Sequence, residues 1–304
     1  MTALGAKSYE KSHEANNINN GYHKNKKPPA TKKTVARLAN YTIIRAVSFL
    51  THSDLQMSPS DDTKNEIIDN FVAPECQGRI EILYQDDDIL LINKPSGLLS
   101  LSGKNQLNWD SVHYRLVNGQ EATESQKATP AFAEAKLPHR LDFGTSGIMV
   151  VGLNSAASKS LNKQFQDRAV QKRYIAMLAG WVEADIGQIS APIAKDKALF
   201  PRVKICLDTG KSAISDYQVI RRLDTPCRTL IQYTPITGRT HQLRIHSLEF
   251  GHPILGCDLY NTPESNNGFE GSDTPPRLML HASDIYFTHP STGQPIHGQS
   301  PSLF

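Results

Sequence analysis

"LPHRLDFGTSGIMVVG", Leu137 to Gly152, is the stretch whose reading decides how this chain folds. From Gly147 to Asn154 it is apolar over strand length and bounded by small residues, the pattern of a strand buried on both faces. Its first half is polar and irregular. There a single carboxylate, Asp142, follows an Arg and precedes Thr145, Ser146 and Gly147, residues suited to a tight turn whose backbone N–H groups can fix a carboxylate. Such an aspartate either forms an Asx turn or reacts, and these residues alone leave the two readings level.

Working outward, Ser155 is the expected cap of a helix in which Ala157, Leu161 and Phe165 recur at four-residue spacing. "KRYIAMLAGWV" (Lys172 to Val182), "SAISDYQVIRRL", "TLIQYTPITG" and "RLMLHASDIYFTHP" read as strands, and in "THQLRIHSLEFG" Gly251 is placed to end a helix. Upstream, "IEILYQDDDILLINKPSG" predicts a hairpin turning at Asp86 to Asp88 and closed by Pro95 to Gly97. Strands dominate and helices lie between them without a βα repeat. The class is therefore α+β, with a mixed, mainly antiparallel sheet and flanking helices.

The folded domain is expected over 77–304. Residues 1–76 read as a polar, disordered extension with a Lys-rich stretch from His23 to Lys33 and a possible short helix near 41–50. Either a solubilising arm or a non-specific hold on nucleic acid fits that stretch. The formal net charge is only +3 over 304 residues, so a polyanion partner requires basic residues gathered on one face. The four cysteines, Cys76, Cys206, Cys227 and Cys257, stand too far apart for a zinc knuckle or a disulfide framework, which fits a reducing cytoplasm. No apolar run approaches the roughly 20 residues of a membrane span, and no membrane role or obligate protein partner is evident.

Three chemistries use letters like these. A kinase separates its catalytic aspartate from its magnesium-binding one and needs a Gly-rich loop upstream, whereas "HRLDFG" compresses both into one Asp142. A metal site assembled from His139, Asp142, His241, His246, His252 and His281 lacks the spacing that sets two ligands on one helical face. Nucleophilic catalysis by one Asp needs a cation near it and an aromatic for a flat substrate, and the chain supplies all three types.

"HRLDFGTSG" resembles the H-R-L-D-x-x-T-S-G signature of the RluA family of RNA pseudouridine synthases. "ILLINKPSGLLS" (Ile89 to Ser100), "QKRYIAMLAGWV", "PITGRTHQLRIHSLEFGHPILGCDLY" (Pro235 to Tyr260) and "RLMLHASDIYFTHP" are similar to the family's other motifs, in the family's order. The resemblance covers about Gly78 to Phe304. No S4 RNA-binding domain is recognisable before Glu75. The chain departs from the family in its extension and in extra residues between Asn118 and Ala135.

The resemblance implies the pseudouridine synthase fold with a central RNA-binding cleft, and isomerisation of a base-flipped uridine without metal or other cofactor. The implied partners are RNA stem-loops, in 23S rRNA (position 746) and in the tRNA anticodon stem-loop (position 32). It also implies roles. Asp142 acts at the sugar carbon, as nucleophile or through a glycal; Tyr174 stacks on the base and is a candidate to remove the C5 proton; Arg239 pairs with Asp142. Arg140 enters the RNA and His139 supports the loop or contacts RNA. By residue type alone, and not from the resemblance, Lys94, Arg173, Arg202, Lys204 and Lys211 are candidates for phosphate contacts, and each reads as well or better as a solvated surface charge. Taken without the resemblance, Arg239 equally suits a phosphate at a helix N-terminus. The alternative from another class is a non-catalytic RNA-binding protein on the same scaffold.

Overall fold

The computed structural model describes residues 71–103, 105–124, 127–262 and 277–304, together with the backbone of Thr42–Ile44. The strands are β1 (Thr42–Ile44), β2 (Glu81–Gln85), β3 (Ile89–Lys94), β4 (Ser146–Gly152), β5 (Gln171–Ala179), β6 (Ile186–Ser190), β7 (Ile193–Lys195), β8 (Val203–Ile205), β9 (Ile214–Asp224), β10 (Cys227–Pro235), β11 (Leu280–Thr288) and β12 (Pro295–Gln299). The helices are α1 (Val112–Asn118), α2 (Ser155–Gln166) and α3 (Gln242–Glu249). Ten strands form one sheet in the order β1-β6-β9-β10-β5-β11-β4-β3-β2, with β12 beside β11, and β7 pairs β8 apart from it. The β1–β6 and β4–β11 pairs are parallel and the others antiparallel, so the expected α+β class with a mixed sheet is what the chain adopts.

Where a short helix is predicted near 41–50, Thr42–Ile44 are instead extended and pair with β6, as β-branched residues favour. The rest of Met1 to Asn70, including the Lys-rich stretch, lies outside the described residues. The domain's contacts begin before 77. Asn108 binds the Phe71 carbonyl and accepts the Ala73 N–H, and the Phe71 ring meets Phe143 edge-on.

β4 is buried along its whole length, and Ile89, Leu90, Ile92, Met149, Val150 and Val151 of the β3–β4 pair are at 0% exposure. Each such side chain contributes about 1.5–3 kcal/mol relative to exposure. Gly147 is required at the β4–β11 junction. It has φ +115°, and a Cβ there would lie 2.2 Å from the Ala282 carbonyl oxygen. The cap of α2 is Asn154, whose Oδ1 accepts the Ala157 N–H at 2.8 Å; Ser155, expected in that role, is the first helical residue.

The core falls into two clusters. One packs β2, β3, β4, α1 and α2; the other packs β5, β9, β10 and α3. Tyr174 of β5 touches both, which places it at their seam. Among the described residues no helix is long and apolar enough to cross a membrane, and all four cysteines are free.

Candidate active site

The segment ahead of β4 is held by its main chain. The Thr145 N–H closes a turn onto the Asp142 carbonyl at 3.1 Å. Four donors from the end of β3 and the segment after it grip the same loop. Gly97 N–H (3.0 Å) and Lys94 Nζ (3.2 Å) both donate to the Phe143 carbonyl, Ser96 Oγ donates to Gly144 at 2.7 Å, and Ser100 Oγ donates to Leu141 at 2.7 Å. From the other side, His139 Nε2 accepts the Val150 N–H of β4 at 3.1 Å while its ring stacks on Phe165, 4.7 Å centroid to centroid. Burial, with Lys172 nearby, pushes His139 down to about 3, so the ring is neutral and its proton sits on Nδ1.

This loop forms one wall of a cleft of about 520 Å³ at the seam of the two cores. Among the described residues Asp142 is the only carboxylate lining it, against five cations, Arg140, Arg168, Lys172, Arg239 and Arg244. The charge concentration absent from the overall composition is therefore present locally. Tyr174 and Leu243 complete the walls. Burial first, and Asp142 second, raise the Tyr174 phenol well above its ordinary value, so it stays protonated. The Asp142 carboxylate is half-buried and takes part in no hydrogen bond or ion pair among the described residues. The turn thus positions it through its backbone, and no N–H group fixes its oxygens as the small residues after it suggest.

The arginine that feels Asp142 is Arg244, not the expected Arg239. Arg239 lines the cleft, but its Nε donates to the Ser212 carbonyl at 3.0 Å and its N–H to Gln242 Oε1 at 3.0 Å. Arg244 lies on α3 at 4% exposure, with its guanidinium over the Tyr260 ring at 5.4 Å and bonded to Asp258. Burial opposes its charge, and Cys257, Asp142 and Asp258 more than offset that, holding it above its ordinary value. Residues 242–247 of α3 are all buried, so an arginine inside this helix has to face its neighbours' charges. At the helix start His241 adopts the left-handed region, φ 53°, and its Nδ1 meets Tyr260 Oη at 2.9 Å.

Three candidates for RNA contact take other places. Lys94 has 0% exposure and donates to the carbonyls of Pro95, Leu98 and Phe143, so it supports the Asp142 turn and cannot reach a phosphate. Burial, opposed by Cys76 and Asp142, brings it down to about 7. His139 is the loop anchor already described. Arg173 neighbours Tyr174 on β5 and therefore points to the opposite face of the sheet, where it lies over Tyr286 at 5.2 Å. Arg140 is exposed at the cleft mouth, near Thr240 at 3.4 Å. His246 and His281 spend both ring nitrogens on a serine hydroxyl and a backbone carbonyl.

A family model described as RNA pseudouridylate synthase matches residues 88–249. The chain is 44% identical over 223 residues to the dual-specificity RNA pseudouridine synthase RluA of Yersinia pestis, covering 73% of this chain and 99% of that one. It is 38% identical over 238 residues to the protein of the same name from Escherichia coli strain K12, covering 78% and 99%. Among solved structures, human RNA pseudouridylate synthase domain containing 1 superposes with a TM-score of 0.56 at 26% identity, over 76% of this chain and 86% of that one.

Proposed function

From the RNA pseudouridylate synthase family, to which this chain belongs, we propose that it takes its reaction and places it at Asp142, on uridines in stem-loops of 23S rRNA and tRNA. The enzyme is an RNA pseudouridine synthase, an isomerase that breaks the C1′–N1 bond of uridine and joins C1′ to C5. The observation that supports Asp142 is its isolation. A half-buried carboxylate whose oxygens have no partner among the described residues stands among five cations, in a cleft of a size to hold one nucleotide. A structural aspartate would spend its acceptors on the fold.

As the C1′–N1 bond opens, positive charge grows on the sugar carbon, and Asp142 stabilises or traps it. Arg244, buried and held above its ordinary value in part by Asp142, sets a fixed positive charge against the carboxylate side of the cleft. Tyr174, kept protonated by burial, serves as a neutral platform for the uracil ring and offers no phenolate to act as a base. Once C1′–C5 has formed, the Asp142 carboxylate takes the C5 proton and N1 takes up a proton in exchange. A stem-loop uridine reaches this depth only when flipped out, at a cost of a few kcal/mol, and Arg140 fills the gap, a role supported by its exposure at the cleft mouth. Lys172, Arg168 and Arg239 supply sites for phosphates.

The test is tritium release from 23S rRNA and tRNA fragments labelled at uridine C5. Wild-type protein should release about one equivalent per modified uridine, and Asp142→Asn none, while that variant keeps its fold and binds the same RNA. Turnover by Asp142→Asn at the wild-type rate would remove the aspartate from the mechanism.

A further inference from the structure

The hairpin of β7 and β8 stands off the main sheet, and nothing in the reaction above uses it. Its connecting stretch is "KDKALFPRVK", Lys195 to Lys204. At the tip Leu199 and Phe200 are 52% and 53% exposed, and Lys195, Lys197 and Lys204 are exposed alongside. The tip is built rather than loose. Asp196 N–H donates to the Arg202 carbonyl at 3.1 Å, Arg202 N–H to the Leu199 carbonyl at 2.7 Å, and Asp196 Oδ1 accepts the Ala198 N–H at 3.1 Å. Two large apolar side chains are thereby held half in water, with nothing among the described residues to cover them.

The base of the hairpin is joined to the cleft. Val203 N–H donates to Tyr260 Oη at 2.7 Å, and the Arg202 guanidinium lies over the Tyr260 ring at 5.4 Å. The same ring carries Arg244, and the same hydroxyl meets His241, both of which line the cleft. From Val203 to Phe200 is three residues of chain, at most about 10 Å. The tip therefore stands within reach of an RNA loop whose uridine occupies the cleft.

We infer that this hairpin is an arm that grips the RNA beside the flipped uridine, with Leu199 and Phe200 packing on an unpaired base of the loop and Lys195, Lys197 and Lys204 neutralising its phosphates. The inference rests on the reading of the reaction given above. An unpaired loop presents base faces and phosphates side by side, and an aromatic tip flanked by ammonium groups is complementary to that pairing. Protein interfaces, by contrast, are depleted in lysine.

The test uses a stem-loop RNA, tritiated at uridine C5, that the wild-type full chain turns over. The double variant Leu199→Ala/Phe200→Ala should raise KM about tenfold, the size of one lost base stack, with the effect falling on KM rather than kcat. The triple variant Lys195→Ala/Lys197→Ala/Lys204→Ala should reduce the salt dependence of RNA binding, read as the slope of log K against log salt, by about 2 for three lost contacts on single-stranded RNA. Unchanged KM in the first and unchanged slope in the second, in protein that isomerises normally, would overturn the arm and leave the reaction intact. No release by wild-type protein from any RNA would instead count against the reaction. A change in oligomeric state at unchanged KM would assign the tip to a protein contact and also overturn the proposal. The triple variant touches exposed ammonium groups alone, so it decides the matter even should the tip variant misfold.

Discussion

Acid should detach the Asp142 loop from β4, and His139 sets how much that costs. Its imidazole accepts the Val150 N–H at 3.1 Å, which a protonated ring cannot do. Its ordinary value of 6.5 falls to about 3 in the folded chain, chiefly through burial. Between those limits the unfolded chain binds one proton more than the folded one, so stability is whole above pH 6.5 and declines as pH falls towards 3. The slope is about 1.4 kcal/mol per pH unit, which amounts to at most about 2 kcal/mol at pH 5. His139→Gln offers an acceptor without a titrating group. Urea unfolding of both proteins at pH 8 and pH 5 should show wild type losing about 2 kcal/mol more than the variant. His246, with a value brought down to about 4 by burial, acts in both and cancels. Equal losses in the two proteins would refute the buried neutral His139.

The two arginines should separate. Arg244→Met is expected to lower kcat by about a hundredfold or more, as loss of a charge-stabilising partner does, whereas Arg239→Ala should act mainly on KM; steady-state kinetics on one RNA checks both. Lys94→Met removes the donor from the buried Leu98 carbonyl and the part-buried Pro95 carbonyl, while Phe143 keeps the Gly97 N–H, and should cost about 2 kcal/mol in urea unfolding, with RNA affinity retained by whatever remains folded. Arg140→Ala should weaken RNA binding in a filter or anisotropy assay while the unfolding midpoint stays put, because the side chain is exposed. A lower midpoint with unchanged affinity would count against its insertion into RNA.

How much of this was legible in the sequence differs from residue to residue. The run from Gly147 to Gly152 announced a strand buried on both faces because burial of that kind leaves an uninterrupted apolar signature, and it is found buried throughout. The hairpin at Asp86 to Asp88 was equally plain, since Asp86 Oδ1 accepts the Asp88 and Ile89 N–H groups as turn chemistry requires. The place of Arg173 was readable and overlooked. If Tyr174 faces the cleft, strand alternation turns Arg173 away. Arg244 was not legible by that route, because a charged residue inside a helix ordinarily faces solvent, and only the packing of α3 shows that this one does not. Lys94 misled for a related reason. A lysine ending a strand before a turn looks exposed, and the chain reversal that wraps carbonyls around its ammonium is a tertiary fact.

The grip on the Asp142 loop has an evolutionary consequence. Lys94, Ser96, Gly97 and Ser100 hold it by the carbonyls of Leu141, Phe143 and Gly144, and every amino acid has a carbonyl. The shape of the turn is therefore set without calling on the side chain at position 143, whose ring packs on Phe71 instead. Side-chain packing on the outside of the loop and the backbone that presents Asp142 can therefore change independently, without one eroding the other.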